Sequence, residues 1–251
     1  MAPFAGRVVL LGASNVARSI STLVEAARLA CGSPLELFAA FGHGRSYGVP
    51  AGVLGHTRPG IARCGLWREL EAQPRLVTVA LVTDVGNDLA YGFSPAEVAE
   101  WVGSCLARLA AVGARTVVTR LPLAVLERLA AWRFELLRRL LFPRRRIVRG
   151  EVLRQAAELD AALVRLAAEH GARTIEPRAE WYGWDPIHLR RRVWSAAWGE
   201  VLGVSGAARG SLRDWWYLRT RVPLEEEWFG LRCGRAQPCG ELSDGTRLWF
   251  Y

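Results

Sequence analysis

Two regimes of hydrophobic patterning alternate along this chain. Short runs rich in apolar and β-branched residues occupy 7–11, 35–41, 76–82, 116–119 and, more weakly, 173–175. Their length and β-branched content predict buried strands. Between them, apolar residues recur every three or four positions, which predicts helices over 15–30, 66–71, 95–112, 124–141, 151–169 and 188–199. In the first helix Ile20, Leu23, Val24 and Ala27 share one face. The third has a defined start: Ser94 as cap, Pro95 at the first position and Glu97 three residues after the cap. Strands alternating with helices predict a mostly parallel sheet of about five strands, covered by helices on both faces in a three-layer α/β/α arrangement.

From about Val201 the pattern changes. Trp215, Trp216, Trp228 and Trp249 crowd this tail, and Ser243-Asp244-Gly245-Thr246 is a hairpin turn signal ahead of the apolar 248–251. The expectation is a main domain over 1–200 and an aromatic-rich antiparallel appendage over 201–251. The tryptophans are read as packing that appendage onto the core. The alternatives are a contact with a second copy of the chain, making a homo-oligomer, or a wall of a substrate cleft.

Composition narrows the function classes. A 251-residue chain with half its residues apolar can bury a core without help from disulfides or metals. The formal net charge is +9, but the chain has no lysine, so every Lys or Arg position is arginine. The densest basic patch is Arg138, Arg139, Arg144, Arg145, Arg146 and Arg149. A lone Phe142 falls within it, not the aromatic interleaving that single-strand nucleic-acid binding requires, so it reads as a solvated face and no nucleic-acid partner is expected. Five scattered cysteines without a CxxC spacing predict reduced thiols and no zinc site. No apolar run reaches membrane-spanning length, and the apolar start is too short for a signal peptide, so a cytoplasmic location is expected.

The candidate chemistry lies where the strands end. Leu10 to Val16, LLGASNV, is a strand, a sharp turn and a helix start, with Ser14 at the junction. Ser14 reads locally as either a helix cap or a nucleophile beside a helix N-terminus that favours negative charge. Gly42, Gly44 and Gly48 follow the second strand, Gly86-Asn87-Asp88 the third, and Asp185-Pro186-Ile187-His188 the fifth. In a parallel sheet all four stretches share one edge, where ligands bind. A serine hydroxyl needs a base within hydrogen-bond reach, and His188 has a carboxylate, Asp185, three positions before it to fix its tautomer. The Ser14 backbone N–H, a glycine N–H near Gly44 and the Asn87 amide are candidate donors to an oxyanion.

These four blocks resemble those of the SGNH (GDSL) hydrolases, esterases and lipases of flavodoxin-like fold, over roughly residues 7–199. The resemblance implies Ser14 as nucleophile, Gly44 and Asn87 as oxyanion donors, His188 as base and Asp185 as its orienter, acting on a small acylated substrate with no cofactor. Ala13 and Asn15 flank Ser14 where the family usually has Asp and Leu, and Val85 stands where its third block has Gly. An acyltransferase would use the same residues. A non-catalytic module of this fold, binding through the arginine patch and the tryptophan-rich tail, is the contrasting reading, and a phosphate binder at the helix start is a third. Of the remaining residues, Asp84 and Asp88 read as structural turn or cap positions. His43 and His56 read as loop surface, and His170 as a partner of a helix C-terminus. Trp181, Tyr182 and Trp184 read equally as core or as an apolar wall for an acyl group.

Overall fold

The computed structural model describes residues 4–141, 148–206 and 208–251. Its main sheet has seven strands. In chain order they are β1 (Gly6–Leu11), β2 (Leu35–Ala40), β3 (Thr78–Val82), β4 (Arg115–Thr119), β5 (Arg173–Ile175), β6 (Gly240–Glu241) and β7 (Arg247–Phe250). Their order across the sheet is β5-β4-β3-β1-β2-β7-β6. All neighbouring pairs are parallel except β7 with β6. The helices are α1 (Ser14–Cys31), α2 (Leu66–Ala72), α3 (Asn87–Ala90), α4 (Pro95–Ala111), α5 (Leu123–Glu127), α6 (Ala131–Leu141), α7 (Arg149–Glu169), α8 (Trp194–Leu202) and α9 (Leu212–Arg219).

The alternation of side chains along β1 explains the layers. Val8 and Leu10 face one core with Ile20, Leu23 and Val24 of α1 and Trp198 of α8. Val9 and Leu11 face a second core with Trp67 of α2, Val102 and Leu106 of α4 and Leu159 of α7. Both faces of the sheet are therefore dry, as the continuous apolar runs predict. Ser94 does form the reciprocal capping box with Glu97 at the start of α4.

Three expectations are corrected. The tail is not simply an antiparallel appendage. The Asp-Gly signal does make a hairpin, with Arg247 opposite Glu241, but β7 lies parallel to β2, with Trp249 opposite Phe38, and extends the main sheet. Burial drives this: Trp249 stacks on Phe38 at 4.7 Å between ring centroids, and Leu248 and Phe250 join the α1-side core. Trp216 and Trp228 stay largely exposed. The helix read over 124–141 is two, α5 and α6, because Leu129 turns inward and is buried at the break. The helix read from His188 begins at Trp194, because the preceding loop is held by hydrogen bonds to α1, described below. In the arginine patch, Arg138 and Arg139 pair with Glu135, and Arg149 donates to the carbonyls of Leu129 and Glu127. Arg144, Arg145 and Arg146 lie outside the described residues. No helix among the described residues is long and apolar enough to cross a membrane.

Two consequences are measurable. Leu248 is fully buried, so Leu248→Ala should cost about 2–5 kcal/mol in urea denaturation. A cost below about 1 kcal/mol would mean that β7 contributes little to the core. The hairpin itself is pinned by Asp244, which accepts from Ser33 Oγ and from Thr246 Oγ1 and N, and pairs with Arg28 at 2.8 Å. Burial alone would raise the Asp244 carboxyl, but these hydrogen bonds and Arg28 hold it at about 2, below its ordinary 3.8. A depressed carboxylate stabilises the fold fully above its unfolded value and loses that contribution as pH falls. The stability gap between the native chain and Asp244→Asn should be constant above about pH 4 and shrink as pH falls towards about 2. A gap independent of pH across that window would contradict the assignment.

Candidate active site

Register places the loops of interest. Leu11 of β1 lies beside Ala40 of β2 and Val82 of β3, so the three chains leave the sheet along one line. The first loop is Gly12 and Ala13. A Cβ at Gly12 would come within 2.6 Å of Val16 and 2.8 Å of Thr83, so the close approach of strand and helix here requires glycine. Ala13 takes the cap position of α1 without a side-chain cap. Ser14, the first residue of the helix, therefore has its hydroxyl free for another partner. That partner is His188: Ser14 Oγ lies 2.9 Å from Nε2. His188 Nδ1 lies 2.5 Å from Asp185 Oδ2. With Nδ1–H donating to the carboxylate, Nε2 is the acceptor for the serine hydroxyl.

Asp185 holds its own loop as well. Its Oδ1 accepts from the backbone N–H of Ile187 at 2.9 Å and of His188 at 3.3 Å. Burial would raise its carboxyl, but the hydrogen bond and charge of His188 and the two N–H groups outweigh it and hold it below the ordinary carboxylate range. Its two oxygens thus divide the contacts: Oδ1 holds the turn and Oδ2 holds the imidazole ring.

Two further residues join the loops, and neither was given a part in the site from the sequence. Asp84, at the end of β3, accepts at Oδ2 from the N–H of Ala13 (2.9 Å) and of Asn15 (3.0 Å). Its Oδ1 accepts from Asn15 Nδ2 at 2.7 Å. Asn15 Nδ2 also donates to the carbonyl of Ile187 at 3.0 Å, and Asn15 Oδ1 accepts from Leu189 N–H at 2.8 Å. One amide thus ties the serine turn to the end of β3 and to the histidine loop. The first turn of α1 is fixed again from behind: Ser19 Oγ donates to Asn15 O at 2.6 Å and accepts from Trp198 Nε1 at 2.7 Å. Asp84 was expected to be structural, and it is, but its partners flank Ser14. Asn15 had been read as a departure from a motif. No local pattern announces either, because the contacts span 69 to 174 residues.

The glycine-rich turn after β2 is tied to the Gly86-Asn87-Asp88 stretch. Buried Asp88 accepts from Ser46 Oγ and, at 2.9 Å, from Tyr47 N–H. Burial pushes its carboxyl up, against these two donors. Gly48 N–H is already bonded to Ser46 Oγ at 3.0 Å. Gly44 has φ +65°, and Tyr91 OH donates to its carbonyl at 2.6 Å. The N–H groups of Ser14, Gly42 and Gly44 and the side-chain amide of Asn87 have no hydrogen-bond acceptor among the described residues. His43, in the same turn, is pushed below its ordinary value by burial and by the nearby charges of Arg219, His188, Arg18 and Arg58. Of the aromatic trio, Trp181 and Tyr182 are buried and also border a cavity beside the site, whereas Trp184 is half exposed with Arg133 over its ring.

Comparison with known proteins supports the architecture. No family model and no curated protein matches the sequence. Solved structures do match in three dimensions. An aryl esterase from M. smegmatis superposes with a TM-score of 0.51 at 12% identity, covering 78% of this chain and 97% of its own. Est24, a carbohydrate acetylesterase from Sinorhizobium meliloti, gives 0.51 at 15% identity over 78% and 97%. A carbohydrate acetylesterase family member from the same organism gives 0.50 at 18% identity over 78% and 95%. Strand order, layers and these likenesses agree: the chain has the SGNH (GDSL) hydrolase fold.

Proposed function

We propose that the protein hydrolyses an ester or related acyl bond, with Ser14 as nucleophile, His188 as general base and acid, and Asp185 as its orienter. The observation that carries this reading is the Ser14–His188–Asp185 chain, at 2.9 and 2.5 Å, built from residues 174 positions apart. A cap or a surface histidine has no need of that chain. The esterases that share the fold support the same chemistry.

On this reading the steps are as follows. Ser14 Oγ bonds to the acyl carbon while its proton passes to His188 Nε2. The carbonyl oxygen gains negative charge and is received by the N–H groups of Ser14 and Gly44 and by the Asn87 amide, which donates without bringing a charge. The bond from the acyl carbon to the leaving oxygen then breaks, and Nε2 returns the proton to that oxygen. A water repeats the sequence on the acyl-serine: it loses a proton to Nε2, the Ser14 Oγ–acyl bond breaks, and the proton returns to Oγ. Asp185 keeps Nδ1 protonated throughout and stabilises the imidazolium.

A fluorophosphonate probe should label the native protein at Ser14 and leave Ser14→Ala unlabelled. Ser14→Ala and His188→Ala should each lower kcat/KM for an aryl ester by at least about 10⁴-fold while keeping the circular-dichroism spectrum. Asn87→Ala should lower it about 10²–10³-fold. Undiminished hydrolysis in folded Ser14→Ala would remove the assignment. Asn15→Ala deprives Leu189 N–H, Ile187 O and Asp84 of partners at once. We expect about 2–3 kcal/mol of lost stability and a fall in kcat of about 10²-fold, larger than the change in KM, because the histidine loop loses its register to Ser14. A loss of stability with kcat intact would make Asn15 a purely structural residue.

A further inference from the structure

Two spaces of opposite character lie near the triad: one is bordered by its sequence neighbours Asn15 and Ile187, the other by Asp185 and His188, and they share a single described lining residue, Leu189. The first is a cavity of about 190 Å³. It starts at Asn15, Asn87 and Ile187 and runs under α5 and α6, against Leu121, Leu126, Leu129, Phe134, Leu137 and Val152. The charged residues that border it are already engaged: Asp84 by Asn15 and Ala13, Arg120 by Asp160 and Glu176, Arg138 by Glu135. What they leave is an apolar chamber. An apolar cavity of roughly 150 Å³ holds a benzene ring, so this one has room for a chain of about six carbons.

The second space is an open depression of about 590 Å³ bordered by His188 itself. Arg18, Arg190, Arg191 and Arg192 line it, and Asp185, already bonded to His188, is the one carboxylate among its described lining residues. None of these four guanidinium groups has an ion-pair partner among the described residues. Arg28, Arg58, Arg120, Arg138 and Arg154 do pair with carboxylates; what distinguishes Arg18, Arg190, Arg191 and Arg192 is that they line one depression together. Four unpaired cations in one depression make a field that attracts anions.

The chemistry of acyl transfer assigns a side to each space. The general acid must reach the leaving oxygen, so the leaving group lies on the His188 side, among the arginines. On the hydrolase reading the Asn87 amide receives the acyl oxygen, and Asn87 also borders the apolar cavity, which offers the acyl chain a place beside it. We infer that the substrate is an acyl ester or thioester with a chain of about six carbons and an alcohol or thiol portion that carries negative charge. The inference rests on the hydrolase reading above and adds the substrate class to it.

Matched aryl esters test both halves: acetates and hexanoates of p-nitrophenol and of 4-hydroxybenzenesulfonate. Each methylene buried is worth about fourfold, so hexanoate, with four more methylenes than acetate, should exceed it in kcat/KM by up to about 250-fold. At low salt the sulfonated hexanoate should exceed the neutral one by about tenfold, and the gap should close as salt rises. Val152→Phe, or Leu126→Trp if the first variant misfolds, should lower the hexanoate-to-acetate ratio at least tenfold. Arg191→Glu with Arg192→Glu should abolish the preference for the sulfonated ester. If labelled, active protein prefers acetates, or treats the charged and neutral esters alike, the substrate inference is wrong while the hydrolase reading stands. If no ester is cleaved and Ser14 is not labelled, the hydrolase reading fails. Calorimetry with hexanesulfonate and ethanesulfonate then decides the binding inference on its own. Tighter binding of the longer chain, weakened by both the cavity and the arginine variants, supports it; equal or absent binding overturns it.

Discussion

The carboxylate of Asp84 and the amide of Asn15 form the contact on which the site's geometry depends. Ser14 leaves β1, Asp84 leaves β3, and His188 arrives on a loop after β5, so nothing in the backbone ladder alone sets their mutual distances. Asp84 takes the two N–H groups on either side of Ser14, and Asn15 reaches Asp84, Ile187 and Leu189 together. Ser14 and Asn15 are both buried, so each of these polar groups would be costly without its partner. The network is satisfied in one arrangement, the one that sets Oγ against Nε2. The cost of holding it is local: Asp84 has φ +60°, a conformation that short polar side chains accept more readily than others do.

That network also accounts for what could be read from the sequence and what could not. The strands and most helices were legible because burial on a sheet face or helix stripe is written in periods of two and 3.6. The edge shared by Ser14, the glycine turn, Asn87 and His188 followed from topology, since parallel strands bring their C-terminal ends together. Asn15 and Asp84 escaped because their function is a relation between distant residues: an asparagine after a serine has no meaning until a carboxylate 69 positions on and a carbonyl 172 positions on come to meet it. The tail failed for a similar reason. The Asp-Gly turn specifies a hairpin, but which sheet edge the hairpin joins is decided by the fit of Trp249 against Phe38 and of Leu248 and Phe250 into the α1-side core. The break between α5 and α6 lies inside an unbroken helical period, and it is the inward Leu129 beside the cavity that sets it.

A consistent division runs through the polar groups near Ser14. Those that hold the loops in place are satisfied: Asp84, Asn15, Asp88, Ser46, Tyr47 and Asp185 all have partners inside the protein. Those left without an acceptor among the described residues are the N–H groups of Ser14, Gly42 and Gly44 and the amide of Asn87, all donors on the segments that follow β1, β2 and β3, with Ser14 and Gly42 buried and Gly44 and Asn87 half-buried. Buried donors are rarely left open without cause, because each forfeits a hydrogen bond that water would otherwise supply. An enzyme that must receive negative charge gains from donors already in place, since none then has to break an existing bond as the charge develops. On the proposed reading, the satisfied carboxylates and amides act as the frame, and the open donors mark where the oxyanion forms. The same logic extends outward. The charges bordering the apolar cavity are neutralised, those in the arginine depression are not, and Leu189 borders both. A substrate that is apolar at one end and negative at the other would leave neither space with a mismatch.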